Sequence, residues 1–231
     1  MDDHAVIAGS VTIRPYHTSD RDALRRISCA TAFLGLPLSL FVDDDVIVAD
    51  ILTRYYTDFE PRSCFVAVVG NTVVGYIIGS TDTKKARQIF MRQIMMPALW
   101  RAVRKGIFLK KNALRFLRHL MVSVIKGEFR DPDFSRLYPA TLHINIDKNF
   151  HRHRIGSKLI ARYLEYLQND HIAGVHLGTI SSSAKEFFIK NGFSLLYSGR
   201  RSYLCYITKD IANYYILGKN SQNKLTYDIL P

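Results

Sequence analysis

Cysteine is scarce in this chain. Cys29, Cys64 and Cys205 stand far apart, with no CxxC pair and no Cys/His cluster. That scarcity argues against a disulfide framework and against a zinc site, and it points to a reducing, cytoplasmic setting. No uninterrupted apolar run reaches the ~20 residues of a spanning helix. The opening stretch, MDDHAVIAGSVTIRP, carries acids where a secretory leader needs bases, so no leader is expected. A further absence is local: between Lys84 and Lys126 there are twelve Lys and Arg and no Asp or Glu. With 32 basic and 20 acidic residues overall, the whole net charge of +12 belongs to that segment. Such a segment attracts phosphate, lipid headgroups or acidic proteins, or is a solvated helical face. What remains is ordinary for a folded protein of 231 residues, 48% apolar and 23% charged. One α/β domain over residues 1–231, carrying an insertion, is the expected organisation.

Val11–His17 begins with the alternation of a short strand, and Thr18, Ser19 or Asp20 can cap a helix through DRDALRRISCATAF. Residues 46–59 repeat apolar side chains at helical spacing. Ser63–Val69 and Thr72–Ser80 are rich in β-branched residues around a Gly70-Asn71 hairpin turn. The basic segment, residues 84–127, reads as helices broken near Pro97 and around Gly106, with Leu114, Leu117, Leu120, Met121 and Val124 facing inward. Ala140–Asp147 is a strand, and Gly156–His171 is an amphipathic helix with Leu159, Ile160, Tyr163, Leu164 and Leu167 on one face. Gly174–Ile180 is a strand, and Ser182–Asn191 is a helix stopped by Gly192. Ser194–Ser198 and Ser202–Lys209 read as strands joined at Gly199-Arg200-Arg201. Residues 210–231 show no clear period and read as a tail.

The stretch LHINIDKNFHRHRIGSKL, from Leu142 to Leu159, joins a strand through a basic loop to a helix start. Helix N-termini carry unsatisfied N–H groups and the positive end of a dipole, a natural seat for a diphosphate. This stretch resembles the acetyl-CoA motif of the GNAT superfamily of N-acetyltransferases, Gln/Arg-x-x-Gly-x-Gly/Ala. Gly156 takes the last glycine and Ile155 the aliphatic position before it; His151 and Arg154 stand where the family has Gln/Arg and Gly. A second pattern, Asn-x-x-Ala-x-x-Phe/Leu-Tyr-x-x-x-Gly-Phe, is matched by Ala184, Phe187, Gly192 and Phe193, with Ser181 for the Asn and Phe188 for the Tyr. The resemblance covers roughly residues 11–83 and 138–209. It implies an α/β (α+β) GNAT fold, a mixed sheet of about seven strands flanked by helices.

The resemblance also implies chemistry: an amine attacks the thioester of acetyl-CoA directly, in a ternary complex. The backbone of Ile144, Asn145 and Ile146 is expected to hold the pantetheine arm as an added strand. The diphosphate is expected over His151, Arg152, His153, Arg154, Ile155, Gly156 and Ser157. Ser181, Ala184, Phe187 and Phe188 complete the cofactor-binding set. Phe188 cannot donate a proton, so Tyr203, water or unaided loss of the thiolate serves the leaving group. His143 shares a strand face with Asn145 and Asp147 and is the candidate base; packing alone is the other reading of a lone strand histidine. Asp58 and Glu60 read as solvated turn residues and His176 as structural. No metal is expected. A CoA-binding module with weak turnover, suggested by His151, Arg154 and Phe188, is one alternative. A peripheral membrane or nucleic-acid-associated protein acting through residues 84–127 is another. The basic face, set beside the site, favours acidic acceptors; the amine itself and the oligomeric state stay open.

Overall fold

The computed structural model describes residues 10–150 and 154–221. Seven strands form one mixed sheet in the order β1-β2-β3-β4-β5-β7-β6. β1 (Val11–Pro15), β2 (Phe65–Val69), β3 (Thr72–Ser80) and β4 (Ala140–Ile146) are antiparallel neighbours. β4 then runs parallel to β5 (Gly174–Thr179). β7 (Ala212–Asn220) lies between β5 and β6 (Ser194–Arg201), antiparallel to both.

Alternation along β2 sends Phe65 and Ala67 to one sheet face and Val66 to the other. The first face is covered by α7 (Ile155–Asn169), whose Leu159, Ile160, Tyr163 and Leu167 are buried as the 3.6-residue period predicts. On the same face α8 (Ser182–Lys190) packs Phe188 against the core and stops at Gly192, at φ +80°. The other face is covered by α1 (Arg21–Thr31), through Leu24 and Ile27. Asp20 does not cap α1 with its side chain; its carboxylate accepts from Arg14 at 2.6 and 2.8 Å and from the His17 N–H. α2 (Asp45–Ala49) continues through a wider π turn, Asp50–Arg54, into α3 (Tyr55–Phe59).

The basic segment corrects two expectations. α4 (Thr83–Ile89) passes through a π turn, Phe90–Met95, into α5 (Met96–Arg104) without the break expected near Pro97. The wider turn opens the hydrogen-bond ladder where proline has no N–H to give. The break at Gly106 is present, at φ +60°. α6 (Lys111–Ile125) buries Ala113, Phe116 and Ser123. Leu114, Met121 and Val124 are exposed, and Leu117 and Leu120 are half-buried. Two apolar stripes run along α6, and its period fits either; the sheet side selects the one holding Phe116, which meets Phe41 and Leu204.

The C-terminal part is also corrected. Gly199, Arg200 and Arg201 continue β6 rather than turning. Residues 202–209 form a turn and α9 (Cys205–Thr208), not a strand. Residues 212–220, read as tail, are a central strand whose Tyr215, Ile216 and Leu217 are buried. A strand enclosed on both faces loses the alternation that marks it in sequence. Buried Arg201 fastens the loop after α6: it pairs with Asp131 at 2.5 Å, donates to the Glu128 carbonyl and lies 3.8 Å from the Tyr214 ring centre. Glu128 in turn accepts from the N–H and hydroxyl of Ser202, both at 2.7 Å.

Candidate active site

β4 and β5 pair only at Ala140–Val175 and Thr141–His176. Beyond that point they diverge, and the gap opens into a cavity of about 560 Å³. One wall is Leu142, His143, Ile144 and Asn145 of β4; the facing wall is Leu177, Gly178 and Thr179 of β5. Ser181, Ala184 and Phe188 close the α8 side. Ser28 and Thr31 of α1, Ile47 and Val48 of α2, Phe116 of α6 and Tyr203 form the remainder with their neighbours. None of the described lining residues is charged. The cavity has the form of a ligand site: concave, apolar and crossed by a few polar groups.

The polar groups centre on Asn145. Its Nδ2 donates to the Tyr76 hydroxyl at 2.8 Å and lies 3.0 Å from His143 Nε2. An imidazole nitrogen that accepts this amide N–H keeps its proton on Nδ1. Apolar surroundings lower the His143 pKa to about 4. Burial disfavours the imidazolium, and Asn145 occupies the Nε2 lone pair, so base work by His143 would require that hydrogen bond to open. Burial also raises the Tyr203 pKa, an effect that Arg201 partly offsets. The Tyr203 ring stands against Phe116 and Phe129.

The histidine couples to stability. Its pKa is near 6.5 when unfolded and about 4 when folded, so the unfolded chain binds the proton first as pH falls. The stability this neutral ring permits is full above pH 6.5 and declines through the window down to pH 4, by at most roughly 3 kcal/mol. Urea unfolding at pH 7 and pH 4.5 should show this loss in the wild type and a smaller loss in His143→Gln. Equal losses in the two proteins would mean that other groups carry the acid sensitivity.

Of the expected diphosphate residues, His151, Arg152 and His153 lie outside the described residues. Ile155, Gly156 and Ser157 form the first turn of α7, ahead of the bond from Lys158 N–H to the Arg154 carbonyl at 3.1 Å. Arg154 sits at φ +55°, in the left-handed region where the family pattern has glycine. A left-handed L-residue is strained by roughly 1–2 kcal/mol, partly offset in glycine by its greater unfolded freedom. Arg154→Gly should therefore raise stability by about 0.5–1 kcal/mol. A lower denaturation midpoint in the variant would assign Arg154 a stabilising contact instead. Gly156 also has a packing role: a Cβ there would stand 2.7 Å from Phe187 Cζ and 3.3 Å from Ile146 Cδ1. Ser181 caps α8, its hydroxyl accepting from the Ala184 N–H at 3.2 Å.

Residues outside the cavity are accounted for structurally. Glu60 accepts from Tyr55 at 2.8 Å and from the Thr81 N–H at 2.7 Å, tying α3 to the end of β3. Asp58 pairs with Arg21 at 2.8 Å. Glu60 is a structural tie rather than a solvated turn residue, whereas Asp58 makes its ion pair at an exposed position, in keeping with the solvated reading. His176 Nδ1 lies 2.7 Å from the Tyr138 carbonyl oxygen, the structural role expected of it. Sequence reasoning missed Tyr76, Phe33 and Phe116. Phe33 and Leu34 line the cavity at φ +49° and +62°, a strained pair of the kind that gathers at functional sites. Among the described residues no cluster of His, Cys, Asp or Glu fits a metal ion, and no helix is long and apolar enough to cross a membrane.

No family model and no curated protein matches the chain. Solved structures do. SsHAT superposes with a TM-score of 0.67 at 21% identity, over 93% of this chain and 100% of that one. A Drosophila melanogaster polyamine N-acetyltransferase follows with 0.59 and 12%, over 91% and 100%. YncA of Salmonella typhimurium, a putative acetyltransferase solved with acetyl-CoA, gives 0.54 and 13%, over 95% and 99%. The seven-stranded mixed sheet, its β4–β5 opening and these likenesses define the GNAT fold, the fold of this chain.

Proposed function

We propose that the protein is an N-acetyltransferase that moves the acetyl group of acetyl-CoA to an apolar amine. The observation that carries this reading is the cavity at the β4–β5 divergence, lined by both strands and by α8. In the reaction the amine nitrogen forms a bond to the thioester carbon, the C–S bond breaks with its electron pair on sulfur, and nitrogen loses a proton.

The chain's residues divide this work. The β4 edge at Ile144–Ile146 holds the pantetheine arm by backbone hydrogen bonds, and the first turn of α7 with Arg154 receives the diphosphate. Ser181, Ala184, Phe187 and Phe188 form the floor beneath the arm. A cavity whose described walls carry no charge disfavours an ammonium ion, so the acceptor enters or becomes neutral without a strong base. Phe33, Phe116 and Tyr203 offer aromatic surface, and among the described residues no carboxylate in the wall would hold a polyamine. Among the described residues the wall has no Lys or Arg either, which moves the expected preference from acidic acceptors to apolar ones. Tyr203 lines the cavity and keeps its proton at neutral pH, so its hydroxyl can protonate the leaving sulfur.

Free thiol release should be followed with acetyl-CoA and phenethylamine, spermidine or an acidic peptide as acceptors. Release is expected with phenethylamine above the other two, and a lower kcat in Tyr203→Phe with unchanged acetyl-CoA affinity. The absence of both thiol release and calorimetric binding of CoA would remove this reading. Binding without release from any amine would favour a CoA-holding module, the reading that Phe188 and the strained Arg154 support.

A further inference from the structure

The outer surface of the basic segment is not the solvated polar face that its charge suggests. On α5 the small residues Ala98 and Ala102 face inward, against Ile47, Ile107 and Ala113. Met96, Leu99, Trp100 and Val103, at spacings of three, four and seven, are exposed, with Trp100 at 66%. α6 repeats the pattern: Leu114, Met121, Val124 and Ile125 are exposed, Ile125 at 78%. Leu109, in the turn between the two helices, is 85% exposed. Scattered apolar residues on a surface need no explanation, but helical stripes on successive helices do.

These helices belong to the segment, residues 84–126, that holds the twelve-residue basic excess. Three of those residues pair with two acids outside the segment: Arg101 and Lys105 share Asp44, and Lys110 meets Asp43. Among the described residues Lys85, Arg87, Arg92, Arg104, Lys111 and Arg118 make no ion pair. Apolar stripes carrying a tryptophan, bordered by cations and free of acids, have the composition of helices that lie in the interface of a bilayer. Here the stripes supply burial among the acyl chains and the cations meet anionic headgroups.

We infer that the exposed face of α5 and α6 docks the protein onto anionic membrane surfaces, with Trp100, Leu99, Val103 and Ile125 entering the headgroup–acyl boundary. Charge excludes the other occupants. A second copy of this face would set two acid-free basic segments against each other. A nucleic acid would satisfy the cations and leave the aliphatic stripes in water. Phe116 of α6 lines the cavity. A docked protein therefore holds that cavity wall about one helix diameter, ~10 Å, from the lipid. Docking of this kind requires no acetyl transfer.

The chain has one tryptophan, which makes Trp100 the probe. The full chain is mixed with vesicles of phosphatidylcholine containing phosphatidylglycerol at about one third, or with phosphatidylcholine alone, at rising salt; Trp100 emission and sedimentation are read together. Binding to the anionic vesicles with a shift of emission to shorter wavelength is expected, and little binding to the neutral ones. Arg87→Gln, Arg92→Gln and Arg118→Gln together should weaken partitioning about 100-fold, from the per-charge attraction of an anionic leaflet. Leu99→Ser with Val103→Ser should weaken it about 10-fold. These positions are exposed, and unchanged melting temperatures would confirm that the variants fold. Binding to anionic vesicles with unshifted emission, or undiminished binding of the serine variant, would overturn insertion of the stripes. Equal binding to neutral vesicles would overturn the role of charge. A vesicle-free, concentration-dependent shift of Trp100 would assign the face to self-association and overturn the inference.

Discussion

Gly79→Ala should destabilise the protein by about 4 kcal/mol or more, enough to lower its yield of folded chain sharply. A Cβ at residue 79 would lie 2.0 Å from the Tyr163 hydroxyl, 2.5 Å from Tyr163 Cζ and 2.2 Å from the Thr141 backbone oxygen. None of these atoms retreats easily. Tyr163 is buried on α7, its hydroxyl donates to that same Thr141 oxygen at 2.8 Å, and the oxygen belongs to the next strand. Relieving the clash means moving α7 away from the sheet and breaking a buried hydrogen bond, so overpacking and an orphaned carbonyl add. Chemical denaturation measures the loss. The double variant Gly79→Ala with Tyr163→Leu should recover part of it, because the shorter side chain vacates the space. If the double variant is as unstable as the sum of the two single changes, the contact with Tyr163 is not the cause.

Ala184→Phe should weaken acetyl-CoA binding at least 100-fold while the protein stays folded. Ala184 lies on α8, lines the cavity and is only partly buried. A phenyl ring there grows into open volume between β4 and β5 instead of into packed core. Any ligand must then displace the ring or lose its own contacts, and a loss of about 2.7 kcal/mol corresponds to the hundredfold change. Calorimetry with CoA gives the affinity, and a thermal melt close to that of the wild type separates blockage from unfolding. An affinity within a few-fold of the wild type would move the pantetheine site away from α8. Neither result depends on which amine is acetylated.

The sequence by itself determined the elements whose two sides differ chemically. α7 buries Leu159, Ile160, Tyr163 and Leu167 because one of its stripes is apolar and the other is not. The β2–β3 hairpin follows from β-branched runs around Gly70, which takes the positive φ its turn needs. Ala184, Gly192 and Phe193 keep their spacing on and after α8, and Gly156 opens α7, so the fold's signature was legible as well. Tertiary structure alone decided the remainder. Tyr214, Tyr215, Ile216 and Leu217 form a continuous apolar run with no period to announce a strand, and their pairing partners lie on β5 and β6. α6 offers two apolar stripes, and only the position of Phe41 and Leu204 determines that Phe116 turns inward while Leu114 and Met121 remain in solvent. The same holds for the site. His143 was recognisable as a polar residue in an apolar strand, but its low pKa depends on what surrounds it and on Asn145, which occupies its Nε2. Phe33 and Leu34 hold left-handed conformations that their side chains disfavour, and long-range packing at the cavity rim, not local preference, must hold them there. Local chemistry specifies which elements form; burial, charge environment and the choice between two faces of one helix arise when distant parts of the chain meet.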